Sequence, residues 1–193
     1  HREARLVTPQ RQKRLVASQF ADLVANHVWA GPYVWYSIHV LGFSPSEIVF
    51  VWSIGFLAAI LAQLPSSALA SGGRSARGLL ALGAFLQAFY CAAYAAIPAL
   101  LRELPEESAS GPKLALAVVA EIACGIGRPL VGAAVTARKP TESKLLTWCQ
   151  GDGVVVVTGI LRTVGLVLAI NGFGASVFIA AAVAFAMSAF AAL

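Results

Sequence analysis

The sequence predicts an all-α membrane protein with six transmembrane helices, and three observations carry that reading. Apolar residues make up 59% of the chain and charged ones 12%, with a mean hydropathy of +0.77. A water-soluble domain lies nearer 45–50% and about 25%. Long apolar runs such as 48–73 and 162–193 show no alternation of period two, so helices rather than barrel strands satisfy the backbone in lipid. Lys and Arg are also divided very unequally between alternate connections.

Residues 1–14 form a polar, basic tail, and residues 15–193 form the bundle. Helix 1 is expected over 15–41, followed by the turn 42–46 with Ser46 as the N-cap of helix 2 over 46–70. A Gly/Ser/Arg-rich loop, 71–77, leads to helix 3 over 78–101. The polar loop 102–112, with Glu103, Glu106 and Glu107, precedes helix 4 over 113–137. The loop 138–144 separates it from helix 5 over 145–170, and a tight Asn171-Gly172 turn starts helix 6 over 173–193. Each segment meets the roughly 20 residues needed to cross a bilayer.

Ten bases lie on one side, in the tail and in the loops after helices 2 and 4, against Arg102 and Lys113 on the other. That asymmetry places both ends of the bundle in the cytoplasm. It also accounts for a net charge of +5 and a pI near 9.5 without a nucleic-acid partner. Cys91, Cys124 and Cys149 lack ligand spacing and read as packing residues, so no metal and no cofactor is expected. His27 alone reads as a packed residue. The chain opens on His1 and closes inside an apolar run, so a fragment is expected.

The helices start near 15, 46 and 78 and again near 113, 145 and 173, an offset of about 97 residues. Three spans per unit would make the second unit an inverted copy. At that offset Gly31-Pro32 falls on Arg128-Pro129. Gly/Pro interruptions at matching positions point to a transporter binding region, although proline is also common in spanning helices without any such role.

Charged groups inside the spans are the candidate functional residues, because each costs roughly 2.5–3.5 kcal/mol at a helix centre. Helix 4 carries Glu121 and Arg128, helix 5 carries Asp152 and Arg162, and helix 1 carries Asp22. If helices 4 and 5 form a hairpin about Pro140, equal depth sets Glu121 opposite Arg162 and Arg128 opposite Asp152. Three acids then face two bases, and a carboxylate left without a base can carry a proton. The alternative for Asp22 is a permanent structural pairing with Arg128 or a place at the wet rim. Asp22, Asn26, Trp29, Tyr33 and Tyr36 follow a 4-3-4-3 spacing along one stripe of helix 1. The stripe suits a solute path; equally, Trp35, Tyr36 and His39 suit an aromatic belt at the outer interface. Gln63, Gln87 and Gln150 suit interhelical hydrogen bonding.

Six helices with both ends inside, a three-plus-three inverted repeat and a basic loop between helices 2 and 3 resemble the N-terminal half of a major facilitator superfamily transporter. The loop residues Gly72, Gly73, Arg74 and Arg77 are similar to that family's gate loop, with Ser71 in place of its aspartate. Glu121-Ile122-Ala123-Cys124-Gly125-Ile126-Gly127 is similar to its helix 4 pattern, with Glu121 in place of the arginine. The antiporter-type Gly-Pro pattern of helix 5 is absent, so antiport is not supported.

The resemblance implies a twelve-helix protein with a missing C-terminal six-helix half, in the plasma membrane. It implies a secondary active transporter that moves a small solute by alternating access, with symport coupled to protons as one form. Helices 1, 2, 4 and 5 would line the cavity, and helices 3 and 6 would face lipid or give support. The solute and proton pathway would then use Asp22, Asn26, Trp29, Tyr33, Glu121, Arg128, Asp152 and Arg162, with Arg74 and Arg77 at the cytoplasmic gate. The alternative is a self-contained six-helix permease subunit or structural membrane protein that works as an oligomer. The motifs of intramembrane enzymes are absent, so an enzyme is not expected.

Overall fold

A computed structural model describes residues 9–71, 76–136 and 154–192. The described residues fold almost wholly into helices, with no strand among them. In chain order these are α1 (Pro9–Val28), α2 (Tyr33–His39), α3 (Pro45–Ser71), α4 (Ala76–Leu100), α5 (Glu106–Thr136), α6 (Val154–Leu168) and α7 (Gly174–Ala192). Four stretches are long and apolar enough to cross a bilayer: Pro45–Ala70, Ala76–Leu100, Ser108–Thr136 and Val155–Ala191. The chain therefore has the make-up of a multi-pass helical membrane protein.

The expected helix 1 is not continuous. It breaks at residues 29–32 into α1 and α2, where Pro32 cannot donate to the helical ladder. The polar opening of α1 keeps it out of the four spanning stretches. At the other end, a kink over Ala169–Phe173 separates α6 from α7. The expected Asn171-Gly172 turn is present there: Gly172 has φ +89°, and the Asn171 side chain donates to the Val167 carbonyl over 2.8 Å.

Two helix starts differ from expectation. Ser44, not Ser46, is the N-cap of α3: its hydroxyl accepts from the Glu47 amide (3.3 Å), and the Glu47 carboxylate accepts from the Ser44 amide (2.8 Å). With Pro45 in the first helical position this is a reciprocal capping box, and Ser-x-x-Glu is its sequence signature. Helix α5 starts seven residues before the expected Lys113 and runs through Pro112. Only one amide donor is lost there, close to the exposed Ser108 and Ser110.

Helix α5 packs on both α3 and α4; α4 packs on α5 and α7; α7 packs on α1 and α1 on α6. This order sets which faces are inside. In its most apolar stretch α4 is 50% buried, against 17% for α3, so α4 is a central strut. Both α4 and α7 also show large apolar side chains outward, such as Phe85 and Val183.

The crossings are set by small residues. A Cβ on Gly165 would strike the Val28 carbonyl, and one on Gly31 would strike the Arg162 carbonyl, so α6 meets the chain backbone to backbone at the end of α1 and within the helix 1 break. Gly125 meets the Gly55 carbonyl of α3, and Gly127 meets the Gly83 carbonyl of α4 (2.7 Å for an added Cβ). The two glycines of Gly125-Ile126-Gly127 thus serve different neighbours. Small residues at crossings are the usual means of helix association in lipid, where no hydrophobic drive acts between helices.

Two alanine substitutions in α6 separate packing from propensity. Gly165→Ala should cost about 1–3 kcal/mol through overpacking against Val28. Gly159→Ala, which meets open space, should be neutral or stabilising by up to about 1 kcal/mol. Thermal unfolding of the two variants in detergent checks the contrast; equal midpoints would remove the α1–α6 crossing.

Candidate functional site

The four candidate charged residues that are described, Asp22, Glu121, Arg128 and Arg162, fall into two distinct settings. Glu121 of α5 is buried, 4% exposed, facing α3 and α4. Tyr94 of α4 donates to its Oε1 over 3.4 Å, and the Tyr33 and Tyr94 hydroxyls lie 3.1 Å apart. Tyr94 has one proton to give, so with that proton on Glu121 the chain runs Tyr33 to Tyr94 to Glu121. Tyr36 adds a bond from its hydroxyl to the Tyr94 carbonyl, 3.4 Å. The other carboxylate oxygen borders Gly55, where a Cβ would sit 2.7 Å from Oε2.

Around this chain lies an aromatic layer. Tyr33 stacks on Trp52 at 5.8 Å between centroids, Tyr94 stacks on Phe178 at 5.7 Å, and Trp29 leans on Tyr90 at 4.8 Å. Trp29, Tyr33, Tyr36, Tyr90 and Tyr94 are all buried. The stripe expected on helix 1 therefore divides. Its aromatic part is packed core, while Asp22 and Asn26 reach a cavity.

That cavity, about 350 Å³, is lined by Asp22, Leu23, Asn26, His27, Ala30, Arg128 and Arg162. Arg128 comes from α5, Arg162 from α6 and the rest from α1. Arg128 lays its guanidinium over the Trp29 ring, 5.4 Å from the centroid, a contact worth roughly 0.5–1 kcal/mol where water reaches it. Asn26 donates to Asp22 Oδ2 over 3.1 Å and to the Asp22 carbonyl over 3.0 Å. Asp22 Oδ1 and His27 Nδ1 are buried without a hydrogen-bond partner. A second polar cavity, about 680 Å³, lies between α3 and α5 and is lined by Gln63, Ser67, Arg128, Pro129, Gly132 and Thr136 among others. Arg128 lines both, so polar groups of α1, α3, α5 and α6 adjoin one another there.

The expected Glu121–Arg162 pair does not form. Helix α6 packs chiefly on α1, while α5 has α3 and α4 as its main neighbours, so the hairpin that would match their depths is absent. Arg162 joins Asp22 and Arg128 at one cavity instead. Its expected counterpart pair, Arg128 with Asp152, falls outside the described residues, as do Gln150 and Arg74. Arg77 is half-buried at the start of α4. Cys91 and Cys124 are free and buried in the core, as packing residues should be.

Sequence reasoning missed Tyr90 and Tyr94, because helix 3 carries no charge and reads as support. Their i, i+4 spacing beside Gln87 and Cys91 on a helix rich in Ala and Leu was the available signal. Gln63 and Ser67, four apart on α3, were also missed as cavity residues.

No family model matches the chain, and no curated protein or solved structure matches it either.

A double-mutant cycle tests the two settings. Tyr94→Phe and Glu121→Gln should couple by about 0.5 kcal/mol or more, whereas Glu121→Gln and Arg162→Gln should add within about 0.5 kcal/mol. Unfolding in detergent measures both cycles, and strong Glu121–Arg162 coupling would restore the discarded pair.

Proposed function

We propose that this chain is the N-terminal half of a secondary transporter of the major facilitator type, with six spans, moving a small solute by alternating access. The pair of polar cavities sharing Arg128 is the observation that carries the reading. It places exposed guanidiniums, an amide and a buried carboxylate oxygen within a bundle whose outer surface is apolar. Such groups are costly in hydrocarbon, so this face belongs against water or protein.

The packing order supports the inverted repeat. Counting α1 with α2 as helix 1, helix 3 packs on helix 4 as helix 6 packs on helix 1, and helix 2 packs on helix 4 as helix 5 packs on helix 1. Exchanging the two sets of three helices maps these main contacts onto one another, while the lighter contacts of helix 1 with helix 2 and of helix 5 with helix 6 have no counterpart of the same extent. The broken first helix lies beside the cavity, the place where transporters put interrupted helices. On this reading both ends of the bundle are cytoplasmic, a C-terminal six-helix half covers the polar face, and a plasma membrane is the setting.

Asp22 is the proton carrier in this scheme. Its Oδ1 has no partner, and no ion pair holds it among the described residues, so the carboxyl can gain and lose a proton as water access alternates. A self-contained oligomer of six-helix subunits is the second reading, and here the same polar face would be covered by another copy.

The full reading frame tests the first reading: six further apolar spans are expected, and a stop just after Leu193 would leave the oligomer. For mechanism, the whole protein in proteoliposomes with an internal pH dye should show solute-driven proton flux. Asp22→Asn should abolish that flux while solute exchange continues. Flux that survives the change would take Asp22 out of the role.

A further inference from the structure

The 350 Å³ cavity has a charge pattern of its own. Its described lining holds the side chains of Arg128 and Arg162 and a single carboxylate, Asp22. Among the described residues neither guanidinium is within ion-pairing distance of a carboxylate: Glu121 is engaged by Tyr94, and Asp22 Oδ2 is engaged by Asn26. His27 adds a buried ring nitrogen, Nδ1, that has no partner and can present an N–H. Arg128 is fixed on one side by the Trp29 face, and the backbone that carries Arg162 is seated against Gly31.

Arg128 and Arg162 therefore line the same space from two different helices. A guanidinium presents paired N–H donors matched to the two oxygens of a carboxylate or the oxygens of a phosphate. We infer that the cavity between Arg128 and Arg162 binds a small organic anion through its carboxylate or phosphate group. The inference rests on the transport reading only for what the site is for; as a binding site it stands alone. Asp22, set apart on Asn26, does not satisfy the arginines and leaves room for the ligand's charge. At about 350 Å³ the space suits a ligand at the small end of usual pocket sizes, roughly 300–1,000 Å³.

Calorimetric titration of the detergent-purified full protein tests this with matched probes: benzoate and phenyl phosphate as anions, benzamide as the neutral isostere and benzylamine as the cation. At least one anion should bind saturably at concentrations up to about ten millimolar, with benzamide and benzylamine at least about tenfold weaker. Arg128→Gln and Arg162→Gln should each weaken that anion about tenfold or more, as expected for loss of a charge-assisted hydrogen bond. Arg162→Lys should recover part of the loss, showing that charge rather than folding is responsible.

Equal binding of benzamide, preference for benzylamine, absence of saturable anion binding, or anion binding untouched in both Gln variants would each overturn the inference. Should a Gln variant fail to fold, the Arg162→Lys protein and the probe series on the unaltered protein decide the matter. Anion binding without any transport in proteoliposomes would overturn the transport reading and leave this one standing. Transport of a neutral or cationic solute without anion binding would do the reverse.

Discussion

Close approach of helix backbones is the constraint on which this bundle depends. In hydrocarbon the tails of the lipids are as apolar as leucine, so association comes from packing contacts and interhelical hydrogen bonds. The helices meet where a side chain is missing: Gly165 of α6 against the end of α1 and Gly31 of the break against α6, Gly55 and Gly125 between α3 and α5, Gly83 and Gly127 between α4 and α5. Each crossing brings a carbonyl into space that a methyl would fill. The polar layer of the core follows from this. Glu121 reaches the Tyr94 hydroxyl because α5 lies close to α3 and α4, and Gly55 leaves room for its second oxygen.

The two settings of charge answer the cost of ionisable groups in different ways. Glu121 is held by a tyrosine hydroxyl that is itself bonded to a second, inside an aromatic layer of buried Trp and Tyr rings. Such a layer fixes the relative heights of α2, α3, α4 and α7, since each ring must stack at its own level. Arg128 and Arg162 instead keep their heads at open polar cavities, and their cost is met by water and by the Trp29 ring. Structure and chemistry are thus divided between neighbouring residues of one helix: Glu121 and Arg128 lie two turns apart on α5, one in the core and one at the cavity.

Much of the helical layout was legible because the apolar segments are long and their punctuation is strong. The Asn171-Gly172 turn was read correctly, since a glycine with φ +89° is what ends α6. Gly31-Pro32 was read as an interruption, and it is the place where the first helix breaks. The cap of α3 was misplaced by two residues because Ser46 is also a capping type, while the Glu47 reciprocity that selects Ser44 was overlooked. At the site, the residue types were legible and their partners were not. Depth matching about a loop presumes that sequential helices lie side by side, and α6 leans on α1 instead. Tyr94 was invisible for a related reason: a neutral residue becomes a partner for Glu121 only once α4 is known to pack on α5.

The position of Arg128 has an electrical consequence. Among the described residues it is the one common to the linings of the 350 and 680 Å³ cavities, so a solute in either lies beside a permanent positive charge. Its guanidinium stays ionised at any physiological pH, and a fixed positive charge in a lining repels cations, as charged linings do in selective pores. A cavity so lined discriminates by sign before any solute is recognised.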